Sequence, residues 1–378
     1  MYELVIYDTS NYEDFPIGGQ LTSVRNFLTY IAEYQKDYCS KILLVGLTTS
    51  VTNLGKKKIV DIGGKQFDFL PVVYRNTNLK EAKNSLRLEF LKGLFKYKDK
   101  IPHEKEILHY IHTPEAFIQV KLCHPFARTA IFSHGSFFNM VRGFRFFQNN
   151  KIVGSCFEVF IKWMLRNANL IFVLDDDSLN QYINYNKNVV KVNNSIILPE
   201  EDYSDKQLHN PIRLLFVGRL SKVKRIDEII KAVENCKEDV VLTIVGDGEE
   251  RTHLESLVET NRVKFTGALK PDQVKNEMIR GDILVMNSVL EGKPMTIIEA
   301  MSYGMPIITT NVGGISELVE FGGNAIETDG TFLQIICAIK NITSQYTEKV
   351  ALSLCRARDY DFKLVNAKVF SELRRIKR

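Results

Sequence analysis

Two glutamates, Glu291 and Glu299, stand on either side of a predicted helix start and are well placed to hold a ligand rich in hydroxyl groups. The apolar run ILVM ahead of them predicts a buried strand that ends near Asn287. Pro294 is tolerated at the first helical position, and Gly304 suits the position just past the helix end. The pattern therefore predicts a strand, a loop with Glu291, and a helix with Glu299.

The predicted helix start supplies an anion site. The N–H groups of Met295 and Thr296 lack intrahelical partners, and the helix dipole favours a phosphate in front of them, at the carboxyl end of a strand. Glu299 lies roughly 7 Å along the helix from Pro294, about the distance between a diphosphate and the ribose of its nucleotide. This spacing suits a nucleotide sugar, with Glu299 on ribose hydroxyls and Glu291 on the transferred sugar.

The segment 291–304 resembles the donor-site signature of glycosyltransferase family four, whose members are retaining enzymes with the GT-B fold. Four further segments match the family in order and spacing: FVGRLSKVKRIDEIIKA (216–232), IVGDGEER (244–251), VKFTGAL (263–269) and MPIITTNVGGISELVE (305–320). Each segment alone is weakly informative. The ordered set implies an α/β fold of two facing Rossmann-like domains, each a doubly wound parallel sheet, with a C-terminal helix that crosses back to the first domain.

The resemblance also implies how the donor diphosphate is held without a metal. Arg219 and Lys224, five residues apart after a predicted strand, resemble the family's diphosphate clamp, although a solvated basic turn is an alternative. The chain departs from the family at Arg225, where glycine is usual, and at Lys293, where an aromatic or aliphatic residue is usual. Lys293 is expected either to contact the donor or an acidic acceptor, or to point to solvent. Donor contacts are implied for Gly218, Leu269, Gly292, Lys293, Met295 and Thr296.

Glycines and histidines follow the predicted strands of the first half of the chain. Gly18 and Gly19 come after the strand at residues 4–8, and the resemblance implies that they line the cleft between the domains, although such glycines often serve the turn alone. His112 resembles the family histidine that contacts the transferred sugar, and His134 resembles one on the acceptor side, with a structural role open for both. His109, inside its strand, is predicted to be a packed core residue.

Three consecutive aspartates, Asp175 to Asp177, contain the Asp-x-Asp pattern that binds metal in the other large glycosyltransferase fold. The following pattern, SLNQYINY, predicts a helix, and aspartate at a helix start satisfies free N–H groups and complements the dipole. We therefore predict a capping role for these aspartates. No metal and no cofactor are expected, and the nucleotide sugar is a substrate.

Length and composition favour two domains. The chain has 378 residues, 45% of them apolar, which suffices for two cores. We predict an N-terminal acceptor-binding domain (1–195), a linker (196–211), a C-terminal nucleotide-sugar-binding domain (212–357) and a closing helix that packs towards the first domain (358–378). Six scattered cysteines form no Cys-x-x-Cys pair and are predicted to be buried thiols.

Charge is uneven along the chain. Residues 1–200 hold 25 lysines and arginines against 19 acidic residues, whereas residues 201–378 hold 25 against 26. The basic segment 91–105 and the basic aromatic segment 136–151 suit an anionic membrane surface or a phosphate-bearing acceptor, or else are ordinary solvated and packed faces. No membrane span and no nucleic-acid motif is predicted, which favours a cytoplasmic enzyme, with peripheral membrane contact as an option.

Together with the resemblance, these features predict a retaining, metal-independent hexosyltransferase. It would move a sugar from a UDP-sugar, or a GDP-sugar, to a hydroxyl of a glycan or lipid-linked acceptor in cell-surface polysaccharide synthesis. The predicted catalytic residues are Glu291, His112, Arg219 and Lys224. A sugar-nucleotide epimerase, a phosphorylase of related fold and a non-catalytic scaffold are the alternatives.

Overall fold

The computed structural model describes residues 1–13, 19–75, 85–138 and 150–377 of the chain. It divides them into two compact units, of which the first comprises Met1–Ser195 with Phe362–Arg378 and the second comprises Ile196–Asp361. Residues 196–211, predicted to be a linker, belong to the second unit. Gly18 and residues 139–149 of the basic aromatic segment lie outside the described residues.

The first unit is built on an eight-stranded sheet. Its strands are β1 (Leu4–Tyr7), β2 (Ile42–Thr48), β3 (Lys58–Ile62), β4 (Lys65–Tyr74), β5 (Leu108–Ile111), β6 (Arg128–Ser133), β7 (Leu170–Val173) and β8 (Val189–Lys191). Their order is β3-β4-β2-β1-β5-β6-β7-β8. The strands pair in parallel, except that β3 and β4 form an antiparallel hairpin. The order reverses beside β1, so the loops after β1 and β5 meet at one point of the sheet edge.

The second unit is built on a six-stranded, fully parallel sheet. Its strands are β9 (Ile212–Val217), β10 (Val240–Val245), β11 (Val263–Gly267), β12 (Ile283–Met286), β13 (Ile307–Thr310) and β14 (Ala325–Thr328). Their order is β11-β10-β9-β12-β13-β14. The strand order switches direction between β9 and β12. The loops after these two strands therefore leave the sheet on opposite sides and open a crevice at the carboxyl ends of the strands.

Helices cover both sheets. They are α1 (Gly19–Tyr34), α2 (Leu86–Lys96), α3 (Glu115–Cys123), α4 (Lys151–Asn167), α5 (Asp176–Tyr182), α6 (Ile226–Asn235), α7 (Arg251–Glu255), α8 (Pro271–Arg280), α9 (Met295–Ser302), α10 (Ile315–Leu318), α11 (Phe332–Ser344), α12 (Tyr346–Ala357) and α13 (Phe362–Lys377). Short 3-10 turns span Lys36–Lys41, Val51–Asn53, Lys98–Lys100, Lys222–Lys224 and Arg358–Tyr360.

The central strands of each sheet are buried on both faces, as expected for parallel strands covered by helices on both sides. In the first unit, the last helix, α13, buries Val369, Phe370 and Leu373 in the same core as Leu28 of α1. Burying one such side chain contributes about 1.5–3 kcal/mol, so α13 is an integral part of this unit. The prediction of two parallel-sheet α/β domains is confirmed. The closing helix begins at Phe362 instead of residue 358, after the turn Arg358–Tyr360.

The prediction that all six cysteines are buried thiols is wrong. Only Cys39 and Cys236 are buried, and Cys156, Cys337 and Cys355 are exposed. The three exposed cysteines lie on the solvent-facing sides of α4, α11 and α12. No helix in the described part of the chain is both long and apolar enough to cross a membrane.

Candidate functional site

The loops after β9 and β12 carry most of the predicted donor residues, and the sheet order brings these loops together. Gly218 follows β9 directly. The guanidinium of Arg219 pairs with Glu249 at 3.0 Å and is 74% exposed. Lys224 closes the 3-10 turn that leads towards α6. Arg219 is therefore a solvent-facing cation, whereas Lys224 lies deeper in the loop.

Glu291 is held in place through one of its carboxylate oxygens. Lys224 forms an ion pair with Oε1, and the Ser288 hydroxyl donates to the same oxygen over 2.6 Å. The side chains of Lys224 and Glu291 are only 19% and 10% exposed. Among the described residues, no donor contacts Oε2. The carboxylate is thus oriented by two fixed contacts while its second oxygen can accept from a ligand hydroxyl.

Arg219 and Lys224 were predicted to act together on a diphosphate, and in the structure they contact different carboxylates. Arg219 pairs with Glu249, and Lys224 pairs with Glu291. A phosphate that binds both cations must therefore compete with Glu249, whose pair with Arg219 is largely exposed and easily displaced.

Helix α9 begins at Met295, one residue later than predicted, because Pro294 precedes it with an extended backbone (φ −67°, ψ 121°). The N–H groups of Met295 and Thr296 have no acceptor among the described residues. The N–H of Ile297 donates to the Pro294 carbonyl at 3.2 Å. The helix start therefore carries two adjacent N–H donors beside the Glu291 loop, as an anion site would need.

The other end of α9 is closed as the sequence indicates. Gly304 has φ +69°, its N–H donates to Met301, and the Met305 N–H reaches back to Ala300. This pair of bonds is a Schellman motif, which requires the left-handed conformation that glycine adopts at no cost. The motif sets the length of the helix that carries Glu299.

Glu299 lies one turn into α9, about 6 Å from Met295 along the axis. Its carboxylate is largely shielded from water, and this burial raises the pKa of Glu299. No described residue donates a hydrogen bond to it. A shielded carboxylate with no donor is costly in the free protein and is a strong acceptor for hydroxyl groups brought by a ligand.

Lys293 does not point to solvent. Its side chain is 4% exposed, and its Nζ pairs with Glu317 at 2.8 Å. The backbone explains this closeness: Gly313 has φ +57°, and a Cβ there would stand 1.9 Å from the Glu291 carbonyl oxygen, while the Gly314 N–H donates to Gly292. The loop before α10 therefore packs against the Glu291 loop, and Lys293 fastens the two together.

Arg225 stands where the family resemblance led us to expect glycine, and the backbone there adopts a conformation that favours glycine. Its backbone is left-handed (φ +46°, ψ 45°), the one non-glycine residue with positive φ in the described chain. Its carbonyl accepts from the Asn287 side chain at 3.2 Å, and that amide also donates to Gly330. The turn is thus held in register with the end of β12 although arginine is strained there.

The first unit brings two of the predicted histidines together at the ends of β5 and β6. Nδ1 of His112 lies 3.0 Å from Nε2 of His134. Burial, with a smaller contribution from His134, lowers the pKa of His112, and burial lowers the pKa of His134 to about 3. Both rings are therefore neutral near pH 7. Nε2 of His112 is buried without a partner among the described residues.

Three further predictions concern the first unit: His109, the aspartates before α5, and the glycines before α1. His109 is packed in the core and contacts the Tyr7 hydroxyl at 2.8 Å, as predicted. Asp175 caps α5 by accepting from the Ser178 N–H at 2.6 Å, which confirms the capping prediction. Gly19 begins α1, whereas Gly18 is outside the described residues.

The basic aromatic segment is not an open surface at its start. Phe137 and Phe138 are buried, and both rings pack on Tyr182. The membrane reading is therefore wrong for these two phenylalanines, because the core of the first unit covers them. The rest of that segment, residues 139–149, is outside the described part of the chain.

Sequence reasoning missed three residues that shape these loops. Ser288 orients Glu291, Glu317 fixes Lys293, and Asp8 is fully buried at the end of β1, where the Ser10 hydroxyl donates to it. Only Asp8 carried a local signal, as an acidic residue directly after an apolar strand. Leu269, predicted to touch the donor, follows β11 and packs on the apolar cluster of the second unit.

Within the described residues, no three histidine, cysteine, aspartate or glutamate side chains converge as a metal site.

Comparison with known sequences supports the resemblance. Residues 200–333 match the family model described as Glycosyl transferases group 1. TuaC of Bacillus subtilis, a putative teichuronic acid biosynthesis glycosyltransferase, is 34% identical over 104 residues, which cover 28% of this chain and 26% of TuaC. The chain thus matches about a quarter of the length of that relative. These matches confirm the predicted resemblance to glycosyltransferase family four over this part of the chain.

Solved structures extend the similarity to the whole fold. Sucrose-phosphate synthase of Thermosynechococcus elongatus superposes with a TM-score of 0.74 at 16% identity, covering 99% of this chain and 98% of that one. HepE of Anabaena in complex with UDP gives a TM-score of 0.66 at 17% identity, covering 99% and 100%. At these identities the likeness concerns the fold, and it confirms the GT-B prediction.

Proposed function

We propose that this chain, whose residues 200–333 match the Glycosyl transferases group 1 model, transfers a sugar from a nucleotide-sugar donor to an acceptor hydroxyl with retention of anomeric configuration. The arrangement around α9 carries the proposal. Two carboxylates, Glu291 and Glu299, flank a helix start with free N–H groups at the switch point of a parallel sheet. This arrangement matches the sequence of chemical groups in a nucleotide sugar: ribose, diphosphate, hexose.

The donor binds as follows. Ribose hydroxyls donate to Glu299, the diphosphate lies before Met295 and Thr296, and hexose hydroxyls donate to Oε2 of Glu291. Among nucleotides we favour UDP, because HepE of similar fold has been solved with UDP and with UDP-glucose. A GDP-sugar is the second choice. Gly218, Leu269 and Gly292 provide the backbone and apolar surface beside it.

Catalysis rests on stabilising the leaving group. As the bond to the anomeric carbon breaks, negative charge grows on the diphosphate and positive charge on the sugar. Arg219, Lys224 and the α9 N-terminus offset the former without a metal ion. When phosphate draws Lys224 forward, Glu291 keeps its bond from Ser288 and so holds the sugar fixed. A leaving phosphate oxygen takes the acceptor proton as the hydroxyl attacks the same face, which gives retention.

For the acceptor we propose a glycan or a lipid-linked sugar in cell-surface polysaccharide synthesis. Two observations support this: the excess positive charge of residues 1–200, and the similarity to TuaC, named for teichuronic acid biosynthesis. His112, with His134 behind it, is assigned to the transferred sugar, and neutral imidazoles suit hydrogen bonds to hydroxyl groups. The enzyme would act in the cytoplasm, at the inner face of the membrane.

The test is the anomeric outcome. Proton NMR of freshly formed product, or of sugar released by slow donor hydrolysis, should show the anomer of the donor. Glu291→Gln should abolish turnover, whereas Glu255→Gln, an exposed acid on α7 paired with Arg251, should leave it unchanged. An inverted product contradicts retention, and a covalent glycosyl-enzyme detected by mass spectrometry contradicts same-face attack.

A further inference from the structure

Helix α4 of the first unit is apolar on two opposite faces. Its inner face buries Ile161, Met164 and Leu165 in the core. A surface helix normally turns polar residues outward, so a second apolar face calls for a partner. That outer stripe follows helical spacing over three turns and consists of Ile152 (81% exposed), Cys156 (exposed), Val159 (66%) and Trp163 (38%).

The stripe continues onto the neighbouring helix. Leu122 near the end of α3 is 66% exposed, and Phe126 just beyond it is 88% exposed. Between α3 and α4 lies an open groove of about 400 Å³ whose walls include Ile118, Phe157 and Phe160. The groove is lined almost wholly by apolar side chains. Together with the stripe it forms a continuous apolar surface, which we name the α3–α4 surface.

Cations border this surface. On α4, Lys162 and Arg166 lie along one edge of the apolar stripe, and Glu158 is the one acidic residue of the helix. Arg166 is exposed and contacts the Tyr185 ring at 5.6 Å. An amphipathic helix with an apolar face, a tryptophan and a basic flank is the composition that lies in the interface of an anionic bilayer.

We propose that the α3–α4 surface docks the protein on an anionic lipid bilayer, with Trp163 and Val159 entering the headgroup region and Lys162 and Arg166 contacting lipid phosphates. Charge decides between this occupant and a second copy of the chain. A symmetric pair through this surface would bring the cations of two copies together, whereas an anionic bilayer complements them. The docking does not depend on a sugar donor, so it stands or falls separately from the proposed transfer reaction.

The protein carries its own probe, because Trp163 is the one tryptophan of the chain. Its emission is recorded while full-length protein is titrated with vesicles of phosphatidylcholine alone or of phosphatidylcholine mixed with phosphatidylglycerol. We expect a blue shift with the mixed vesicles that weakens as salt rises, and little change with phosphatidylcholine. No shift with the mixed vesicles, or an equal shift with both, would overturn the proposal.

Variants separate the apolar and the charged contributions. Val159→Asp should weaken vesicle binding by roughly tenfold or more, since it puts a charge on the inserted stripe. Val51→Asp is the matched control, because Val51 is 62% exposed on the same unit but far along the chain from α3 and α4, and it should bind as the unchanged protein does. Lys162→Ala should weaken binding about fivefold, the effect of one cation near a charged surface.

Two outcomes would count against the bilayer specifically. An emission shift that grows with protein concentration in the absence of lipid, together with a dimer in sedimentation, would assign the surface to a second copy. Equal loss of binding in Val159→Asp and Val51→Asp would show that the attraction is general and not located on α4.

Discussion

Glu299→Gln should change stability and donor binding in opposite directions. In the free protein the Glu299 carboxylate is shielded from water, has no donor among the described residues, and has a raised pKa because of burial. A carboxyl with a raised folded-state pKa is stabilising only while protonated, and that contribution is lost as pH rises through the folded pKa. At pH 7 the ionised carboxylate therefore costs folding free energy.

The size of the stability change follows from the same linkage. Each unit by which the folded pKa exceeds the unfolded one costs about 1.4 kcal/mol at neutral pH. Glutamine removes the charge and keeps the shape, so Glu299→Gln should raise the free energy of unfolding near pH 7. The gain should vanish at acidic pH, where the wild-type carboxyl is protonated. Chemical denaturation at pH 7 and at pH 4 measures both values.

Glu299→Gln should lower the affinity for the donor, although it raises the free energy of unfolding. A hydrogen bond to a charged group contributes about 1.5–3 kcal/mol, so the loss of charge should weaken UDP binding at pH 7 by roughly tenfold or more. Binding requires the ionised form, and wild-type affinity should therefore fall towards tenfold per pH unit once pH drops below the raised pKa of Glu299. Isothermal titration calorimetry across this range reads the profile.

Controls make this result decisive. Glu348→Gln, an exposed glutamate on α12 of the same unit, should change neither stability nor UDP affinity. In Glu299→Gln the fall in affinity at acidic pH should disappear. The reasoning would be refuted by a Glu299→Gln protein that is less stable than wild type at pH 7, or that binds UDP as tightly.

Three further changes test the structure of the two units. Glu317→Ala removes one ion-pair partner of the nearly buried Lys293 and should lower the free energy of unfolding by about 2 kcal/mol in chemical denaturation; an unchanged free energy of unfolding would contradict the pairing. Arg225→Gly should be about 1 kcal/mol more stable than Arg225→Ala, because only glycine adopts the left-handed turn freely; equal stability would contradict the strain. Burial lowers the pKa of His109 to about 3, so its contribution to stability is present above pH 6.5 and is lost as pH falls below that value. His109→Gln should therefore reduce the slope of the free energy of unfolding against pH by up to about 1.4 kcal/mol per pH unit in this range. An unchanged slope in pH-dependent denaturation would contradict the neutral, buried state.

Local signals predicted the parts of the fold that local physics determines. The left-handed Gly304 at the end of α9 and the Asp175 cap of α5 could both be predicted from the sequence. The unpaired backbone groups at a helix end are satisfied by residues only a few positions away. The two parallel sheets were implied by the resemblance to a known family, and their central strands are buried on both faces as such sheets require. The start of the helix that carries Glu299 was predicted to within one residue, because Pro294 and Gly304 are typical of a helix start and a helix end.

Contacts between distant segments could not be predicted. Lys293 meets Glu317 only because Gly313 lets another loop approach the Glu291 carbonyl, and nothing near Lys293 in the sequence encodes that approach. The role of Ser288 depends in the same way on where the loop after β12 turns.

Exposure was the least predictable property. Cys156 lies on an outward helix face that is apolar throughout, so composition made it look buried. For Phe137 the sequence left membrane contact and ordinary packing open, and in the fold its ring packs on Tyr182. At both positions the exposure of the side chain depends on how distant parts of the chain pack, which the neighbouring residues do not show.

The central claim is that the loops after β9 and β12 bind a nucleotide sugar. Thermal unfolding with panels of UDP-, GDP- and ADP-sugars, on wild type, Glu299→Ala and Arg219→Ala, tests it directly. A ligand at about 100-fold excess over its Kd adds about 2.7 kcal/mol, readily seen as a raised Tm. We predict that one nucleotide class, UDP first, stabilises wild type and neither variant. If no nucleotide sugar raises the Tm, or if both variants respond as wild type does, the donor site is not where we propose it.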